Sequence, residues 1–333
     1  MRALRHLCAC STRHLPRTSI PAGIQTQTQT RWSSSQPIAS KLVFPDDGAE
    51  PSAVRHIHLT RDPSGAAFPS YTAASDFQTS LRQAFLDWKS APTPRAPSPL
   101  VVSFTPKPTY TLGKRQKSLR EEQLARLKQP LSVALDDGNT EEFTPEVVET
   151  DRGGLTTYHG PGQVVLWPIL DLRSVYYPPQ TVRSYARLLE ETTRAVLASP
   201  EGGPAAVPTY LSEEDPGVWS SAARSRGQER KMAAVGVHLR RHVSGLGTAL
   251  NVDVVVEGDE RVNPWARFVP CGLDGKTATS VRAEVGPTAW EEWRRRTRDE
   301  SAETKEWYAR RWVVEFAKRL GVKAADGTVY HRL

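Results

Sequence analysis

Long apolar runs are missing from these 333 residues; none approaches the ~20 needed to cross a bilayer, which argues against a membrane span. Cysteine is scarce: Cys8, Cys10 and Cys271 are all there is, and the first two lie in an N-terminal tail. One thiol in the body forms neither an internal disulfide nor a multi-thiolate zinc site. Cys271 is therefore a buried filler or a reactive thiol. Acid is absent from residues 1–45, which hold Arg2, Arg5, Arg13, Arg17, Arg31 and Lys41. The formal charge of +7 sits mostly in this tail. The rest is nearly neutral, with no evident basic stripe for nucleic acid. Neither GxGxxG nor GxxxxGK[ST] occurs, so a nucleotide-phosphate loop is poorly supported.

What is present is enough for a core: 38% of residues are hydrophobic and 24% charged. The tail is Arg-rich, Ser/Thr-rich and acid-free, with SSSQ following Trp32. Residues 1–45 read as a mitochondrial transit peptide, and the expected location is the matrix. No long apolar segment follows the first charges, as a secretory signal would require. Residues 46–333 are expected to form a single domain with surface insertions near 91–99, 199–230 and 255–266.

No internal repeat is visible. Residues 53–61 alternate like a strand, 100–105 read as a buried strand, and another is expected around Val147 and Val148. Phe77, Leu81, Phe85 and Trp88 step as one face of a helix within 76–90. Val182, Tyr185, Leu188, Leu189, Thr192 and Val196 do so within 181–199, and Tyr308, Trp312, Phe316 and Leu320 near the C-terminus. PGVW (216–219) and KMAAVGVHLRRHV (231–243) read as two strands of a long hairpin, with a further strand in TALNVDVVV. Strands dominate the middle without a regular βαβα rhythm. The expected fold class is α+β, a mixed sheet with helices on one side.

Three stretches could carry chemistry. RGGLTTYHGPGQ (152–163) places permissive backbone directly against the apolar VVLWPILDL. Its glycines allow close approach of a ligand to the main chain, and Tyr158 and His159 are placed to line a pocket. It precedes a strand, so the helix-terminus anion argument does not apply. In FVPCGLDGKTATS, Cys271 sits between Pro270 and Gly272 on a tight bend. Its reactivity requires a thiolate, which a nearby cation favours. Lys231, heading a small apolar strand, offers such a cation and a proton acceptor when neutral.

In this order, RGGLTTYHGPGQVVLWPILDL, PGVW, KMAAVGV, ALNV and PCGL…TS closely resemble the lipoyl(octanoyl) transferases, from about residue 110 to about 280. The resemblance implies a biotin/lipoate protein ligase-like catalytic domain. It implies transfer of an octanoyl group from acyl carrier protein to a lysine of lipoyl-domain proteins, namely the glycine cleavage H protein and the E2 subunits of 2-oxoacid dehydrogenases. No cofactor, ATP or metal is implied, and a monomer is expected. Cys271 falls at the acyl-thioester position and Lys231 at the lysine that tunes it. The acyl-binding surface falls on Arg152, Gly153, Gly154, Leu155, Thr156, Thr157, Tyr158 and His159, on Ala234, Val235 and Gly236, and on Gly247, Thr248 and Ala249. One departure stands out: Leu246 occupies a position where many members have histidine. An ATP-dependent ligase of the same fold and a non-catalytic lipoyl-domain-binding protein are the alternatives.

Overall fold

Every residue of the strand Gln163–Ile169 is buried, so this strand is covered on both faces. Val164 and Leu166 pack on one side, and Val165, Trp167 and Ile169 on the other, as a period of two requires. The computed structural model describes residues 50–333 except 61–67, 94, 117, 136–137, 199–202, 222–227, 269–274 and 298–303. All described residues fall in one unit, Leu42–Leu333.

The strands in chain order are β1 (Ala53–Thr60), β2 (Leu100–Phe104), β3 (Thr109–Leu112), β4 (Leu131–Ala134), β5 (Thr140–Phe143), β6 (Glu146–Glu149), β7 (Thr157–His159) and β8 (Gln163–Ile169). They continue with β9 (Thr209–Leu211), β10 (Val218–Ser220), β11 (Arg230–Arg240), β12 (Val243–Asn251), β13 (Thr277–Ala278), β14 (Lys323–Ala324) and β15 (Val329–Arg332). The helices are α1 (Tyr71–Ser90), α2 (Glu121–Leu127), α3 (Val182–Ala198), α4 (Val281–Val285), α5 (Pro287–Thr297) and α6 (Thr304–Leu320). Among the described residues no helix is long and apolar enough to cross a membrane.

The main sheet runs β14-β1-β2-β8-β12-β11-β10-β9, with β15 also on β1 and β13 also on β11. It is mixed: β1 pairs in parallel with β2, β14 and β15, and the run from β2 to β9 is antiparallel. Helices cover both of its faces, not one. On one face α1 lays Tyr71, Ala74, Phe77, Leu81 and Phe85 against Trp167 and Ile169. On the other, α3 and α6 lay Tyr185, Leu189, Tyr308, Trp312 and Phe316 against Val164, Leu166 and Leu250. The Trp312 indole N–H donates to Thr193 Oγ1 at 2.9 Å and ties the two helices together. The fold class remains α+β. The second covering layer follows from strands such as β2 and β8, which have no polar face to offer water.

Several local expectations change. Helix α1 begins five residues before 76, because Ser70 caps it through Ala73 N–H. Val182, expected on the inner face of α3, is 55% exposed. Residues 231–243 do not form one strand. Arg241 (φ 49°) and His242 (φ 69°) make a two-residue turn, and Arg240 pairs with Val243 across it. The 199–230 stretch is not merely an insertion, since it supplies β10 and the edge strand β9. The 255–266 stretch also turns inward at its end. Pro264 accepts from Tyr110 Oη at 2.9 Å, and Trp265 packs with Tyr158 and Phe268 in a third core over the small sheet β6-β3-β7.

Candidate active site

The site lies on the α1 face of the main sheet, where β8, β12 and β11 run side by side. A cavity of about 530 Å³ opens there. Of the residues singled out in the sequence, Lys231, Arg152 to Leu155, Thr157, His159, Ala234 to Gly236 and Gly247 to Ala249 line it. Two do not. Tyr158 lies between Thr157 and His159 on β7, so alternation sends its ring to the opposite face, against Tyr110 and Trp265. Thr156 donates its hydroxyl to Gln116 Oε1 at 2.9 Å and is not part of the lining. Cys271 lies outside the described residues.

The glycine-rich turn is held from below by β3 and the segment that follows it. Lys114 N–H donates to Arg152 O, Arg115 N–H to Gly154 O and Gly113 N–H to Leu155 O. The Arg152 guanidinium donates to Thr111 O at 2.7 Å and to Thr111 Oγ1 at 2.8 Å, while its stem crosses Gly236. Its buried charge thus braces the turn, and its methylenes form cavity wall. Gly162 is needed for both conformation and space. Its φ is +85°, and a Cβ there would sit 2.4 Å from Val254 N. The approach lets Gly162 O accept from the N–H groups of Val252, Asp253 and Val254, fixing the start of β8 to the end of β12.

His159 is buried and stacked on Tyr71, with ring centroids 5.2 Å apart. Its protonation can be read along a hydrogen-bond chain. Thr279 O only accepts, so Asn251 Nδ2 donates to it at 2.9 Å. Asn251 Oδ1 then accepts from Gln163 Nε2 at 2.8 Å, and Gln163 Oε1 accepts from His159 Nδ1 at 2.8 Å. The proton is on Nδ1, which leaves the Nε2 lone pair available. Burial, then the Arg152 charge, lowers the imidazole pKa to about 3, against the opposing effect of the Gln163 hydrogen bond. The ring is neutral at physiological pH.

Lys231 stands at the other end of the cavity. Its Nζ donates to Pro216 O at 3.1 Å and lies 4.5 Å from the Trp219 ring centroid. A second ammonium, Lys276 Nζ, lies 5.0 Å from the same centroid. It pairs with Asp215 and, at 2.8 Å, with Glu229, which raises its pKa. The described chain resumes after Cys271 at Gly275, and Ala278 pairs with Lys231 in the sheet. Beneath this junction, buried Glu284 accepts from Thr279 Oγ1 at 2.5 Å, Ser220 Oγ at 2.8 Å and Arg230 at 3.0 Å. One carboxylate therefore ties together β10, β11 and the segment following the cysteine.

Residues 76–300 match the family described as the lipoyl protein ligase A/B catalytic domain. The chain belongs to this family. It is 33% identical over 198 residues to a mitochondrial octanoyltransferase of Kluyveromyces lactis, covering 57% of this chain and 53% of that one. It is 30% identical over 214 residues to a probable octanoyltransferase of Schizosaccharomyces pombe (64% of this chain, 80% of that one). To an octanoyltransferase of Alkalilimnicola ehrlichii it is 37% identical over 198 residues, 60% of this chain and 74% of that one. The chain thus spans about half the length of the first of these relatives and most of the other two. Among solved structures it is similar to Plasmodium falciparum LipL1 in complex with lipoate, with a TM-score of 0.47 at 9% identity over 84% of this chain and 66% of that one.

Further residues line the cavity beyond the candidates named from the sequence. Val165 and Trp167 form part of the floor, and Tyr71 closes one side. The two floor residues were available from the period of two in VVLWP. Tyr71 comes from the first turn of a distant helix and carries no motif.

Proposed function

We propose that the protein is an octanoyltransferase, moving an octanoyl group from acyl carrier protein to a lysine of lipoyl-domain proteins through a thioester on Cys271. The observation that carries this reading is the single cavity shared by Lys231, the glycine-rich turn and the small-residue strands, with an apolar floor. A fatty acyl chain fits such a surface: Val165, Trp167 and Ala249 give it apolar contact, and Ala234, Gly236 and Gly247 keep the strands low beneath it.

The chemistry runs in two steps. The Cys271 thiolate attacks the thioester carbonyl, and the carbon–sulfur bond to the carrier breaks. Lys231 gives its proton to the departing carrier thiolate. The neutral amine of the acceptor lysine then attacks the acyl-enzyme. As the amide forms, the bond to Cys271 breaks and the amine proton passes to Lys231, restoring thiolate and ammonium. Thioester exchanges for thioester, and thioester to amide is downhill, so this route requires neither ATP nor a metal. Backbone N–H groups beside Gly272 serve the oxyanion in this scheme; one such donor typically contributes ~10²–10³ in rate. The acceptors proposed are the glycine cleavage H protein and the E2 subunits of 2-oxoacid dehydrogenases. The enzyme is proposed to act as a monomer in the mitochondrial matrix, in line with the Arg-rich, acid-free N-terminus.

The test is the mass of the denatured protein after mixing with octanoyl carrier protein. Wild type gains one octanoyl group on Cys271, and Cys271→Ser gains none and does not modify a lipoyl domain. Near-normal transfer by the serine variant overturns the scheme. Turnover of free octanoate with ATP, without the carrier, supports the ligase alternative instead.

A further inference from the structure

Leu246 has a left-handed backbone, φ 59°, in the middle of β12. For a branched aliphatic side chain this conformation is strained and persists only where surroundings enforce it. Part of that enforcement is visible: Leu246 N–H donates to the buried Gln78 Oε1 at 3.1 Å. The strain has a geometric consequence. Strand alternation places residue 246 on the same face as Leu250, which packs against α3 and α6. Leu246 packs instead with Trp167, Tyr71 and Ala249 on the α1 face. The positive φ has turned the side chain across the sheet.

That re-aiming puts Leu246 at a boundary. A second cavity of about 910 Å³ lies between α1 and the small sheet, with a mixed lining in which Arg82, Lys114 and Asp151 stand beside Leu112, Leu119 and Val147. The two cavities have only Tyr71 and Leu246 in common among their lining residues. In the first cavity Lys231 and Leu246 are well separated along the sheet, since Leu246 pairs with Val237, six residues further along β11; Tyr71 and Trp167 cluster with Leu246, and His159 stacks on Tyr71.

Resting on the function proposed above, in which the acyl carbonyl reacts at the Lys231 end, we propose that Leu246 is the end-stop of the acyl site and sets its chain-length limit. The methyl end of the chain meets an apolar wall made of Leu246 and Tyr71. A longer chain must displace that wall to reach the cavity behind it. Glycine at 246 removes both the wall and the strain.

The test compares binding of octanoate and dodecanoate to the full chain, wild type and Leu246→Gly, by calorimetry. Leu246→Asn serves as a second variant that tolerates the left-handed backbone. Wild type binds dodecanoate more weakly than octanoate. The variants narrow that difference by at least about tenfold, since each methylene freed from exclusion is worth roughly fourfold. An unchanged ratio in both variants, or a wild type that binds dodecanoate more tightly than octanoate, overturns the end-stop. Because binding is read directly, this outcome is separate from that of the proposed reaction, which is read as acyl transfer from the carrier and mass gain on Cys271. Where transfer occurs, the octanoyl-to-dodecanoyl rate ratio of the variants moves in the same direction.

Discussion

His159 Nδ1 donates to Gln163 Oε1 at 2.8 Å, and the direction of that bond is set by a backbone carbonyl two side chains away. That bond sets the tautomer; burial, then the Arg152 charge, hold the ring neutral, with a folded pKa of about 3 against an ordinary 6.5. Above pH 6.5 neither folded nor unfolded chain protonates it, and it contributes no pH dependence. Below 6.5 the unfolded chain takes up a proton that the folded protein refuses. Stability is therefore lost as pH falls from about 6.5 towards about 3, at ~1.4 kcal/mol per pH unit from this ring. Urea unfolding of wild type and His159→Gln at pH 6, 5 and 4 measures it. The variant's stability falls less steeply by about that slope, and parallel curves count against the assignment.

The turn Arg152–Leu155 needs its neighbours small at one point and not at another. A Cβ on Gly113 would lie 2.5 Å from Gly154 O and 2.8 Å from Gly153 O, backbone atoms with nowhere to retreat. A Cβ on Gly153 would meet nothing within 4 Å. Gly113→Ala is expected to cost ~1–3 kcal/mol and to weaken acyl transfer by displacing the turn. Gly153→Ala stays within about 0.5 kcal/mol of wild type. Thermal melts of the two variants decide the matter, and equal melting temperatures refute it.

How far the sequence showed this depends on the element. Helices α3 and α6 were legible because Tyr185, Leu189 and Val196, and Tyr308, Trp312 and Phe316, repeat at helical spacing and are buried as that spacing requires. The Arg241–His242 turn was not legible, since its positive φ values fall on residues that do not advertise a turn. The edge strands β14 and β15 were missed for lack of an apolar run; Val329 and Tyr330 are 48% and 55% exposed. In the site, motifs marked the glycine-rich and small-residue walls, but treating 152–159 as one surface ignored the pleat that sends Tyr158 away from His159. Glu284 gave no signal, because its partners Ser220, Arg230 and Thr279 come together only through the sheet.

Lys231 is expected to act on the cysteine through charge. Replacing it with methionine removes the ammonium near Trp219 while keeping a chain of similar length. The apparent pKa of the Cys271 thiol, measured by rate of alkylation against pH, should rise in Lys231→Met, because loss of a nearby cation disfavours thiolate. The acyl-enzyme should form more slowly at pH 7 and recover partly at higher pH. A thiol pKa identical to wild type removes Lys231 from this role.

Glu284 separates packing from positioning. Its carboxylate is buried beside Arg230, whose side chain is 17% exposed, so deleting one partner strands the other in a poorly hydrated place. Glu284→Ala is expected to destabilise by about 3 kcal/mol, at the lower end for a broken buried pair because Arg230 retains some water. Replacing both partners by apolar residues, Arg230→Met with Glu284→Leu, should recover most of that loss. Activity should not recover with stability. Thr279 Oγ1 and Ser220 Oγ lose their shared acceptor in the double variant, and with it the link between β10 and the segment that follows Cys271. Chemical denaturation and single-turnover acyl transfer on the three proteins separate the effects; full recovery of both in the double variant makes Glu284 a stability residue alone.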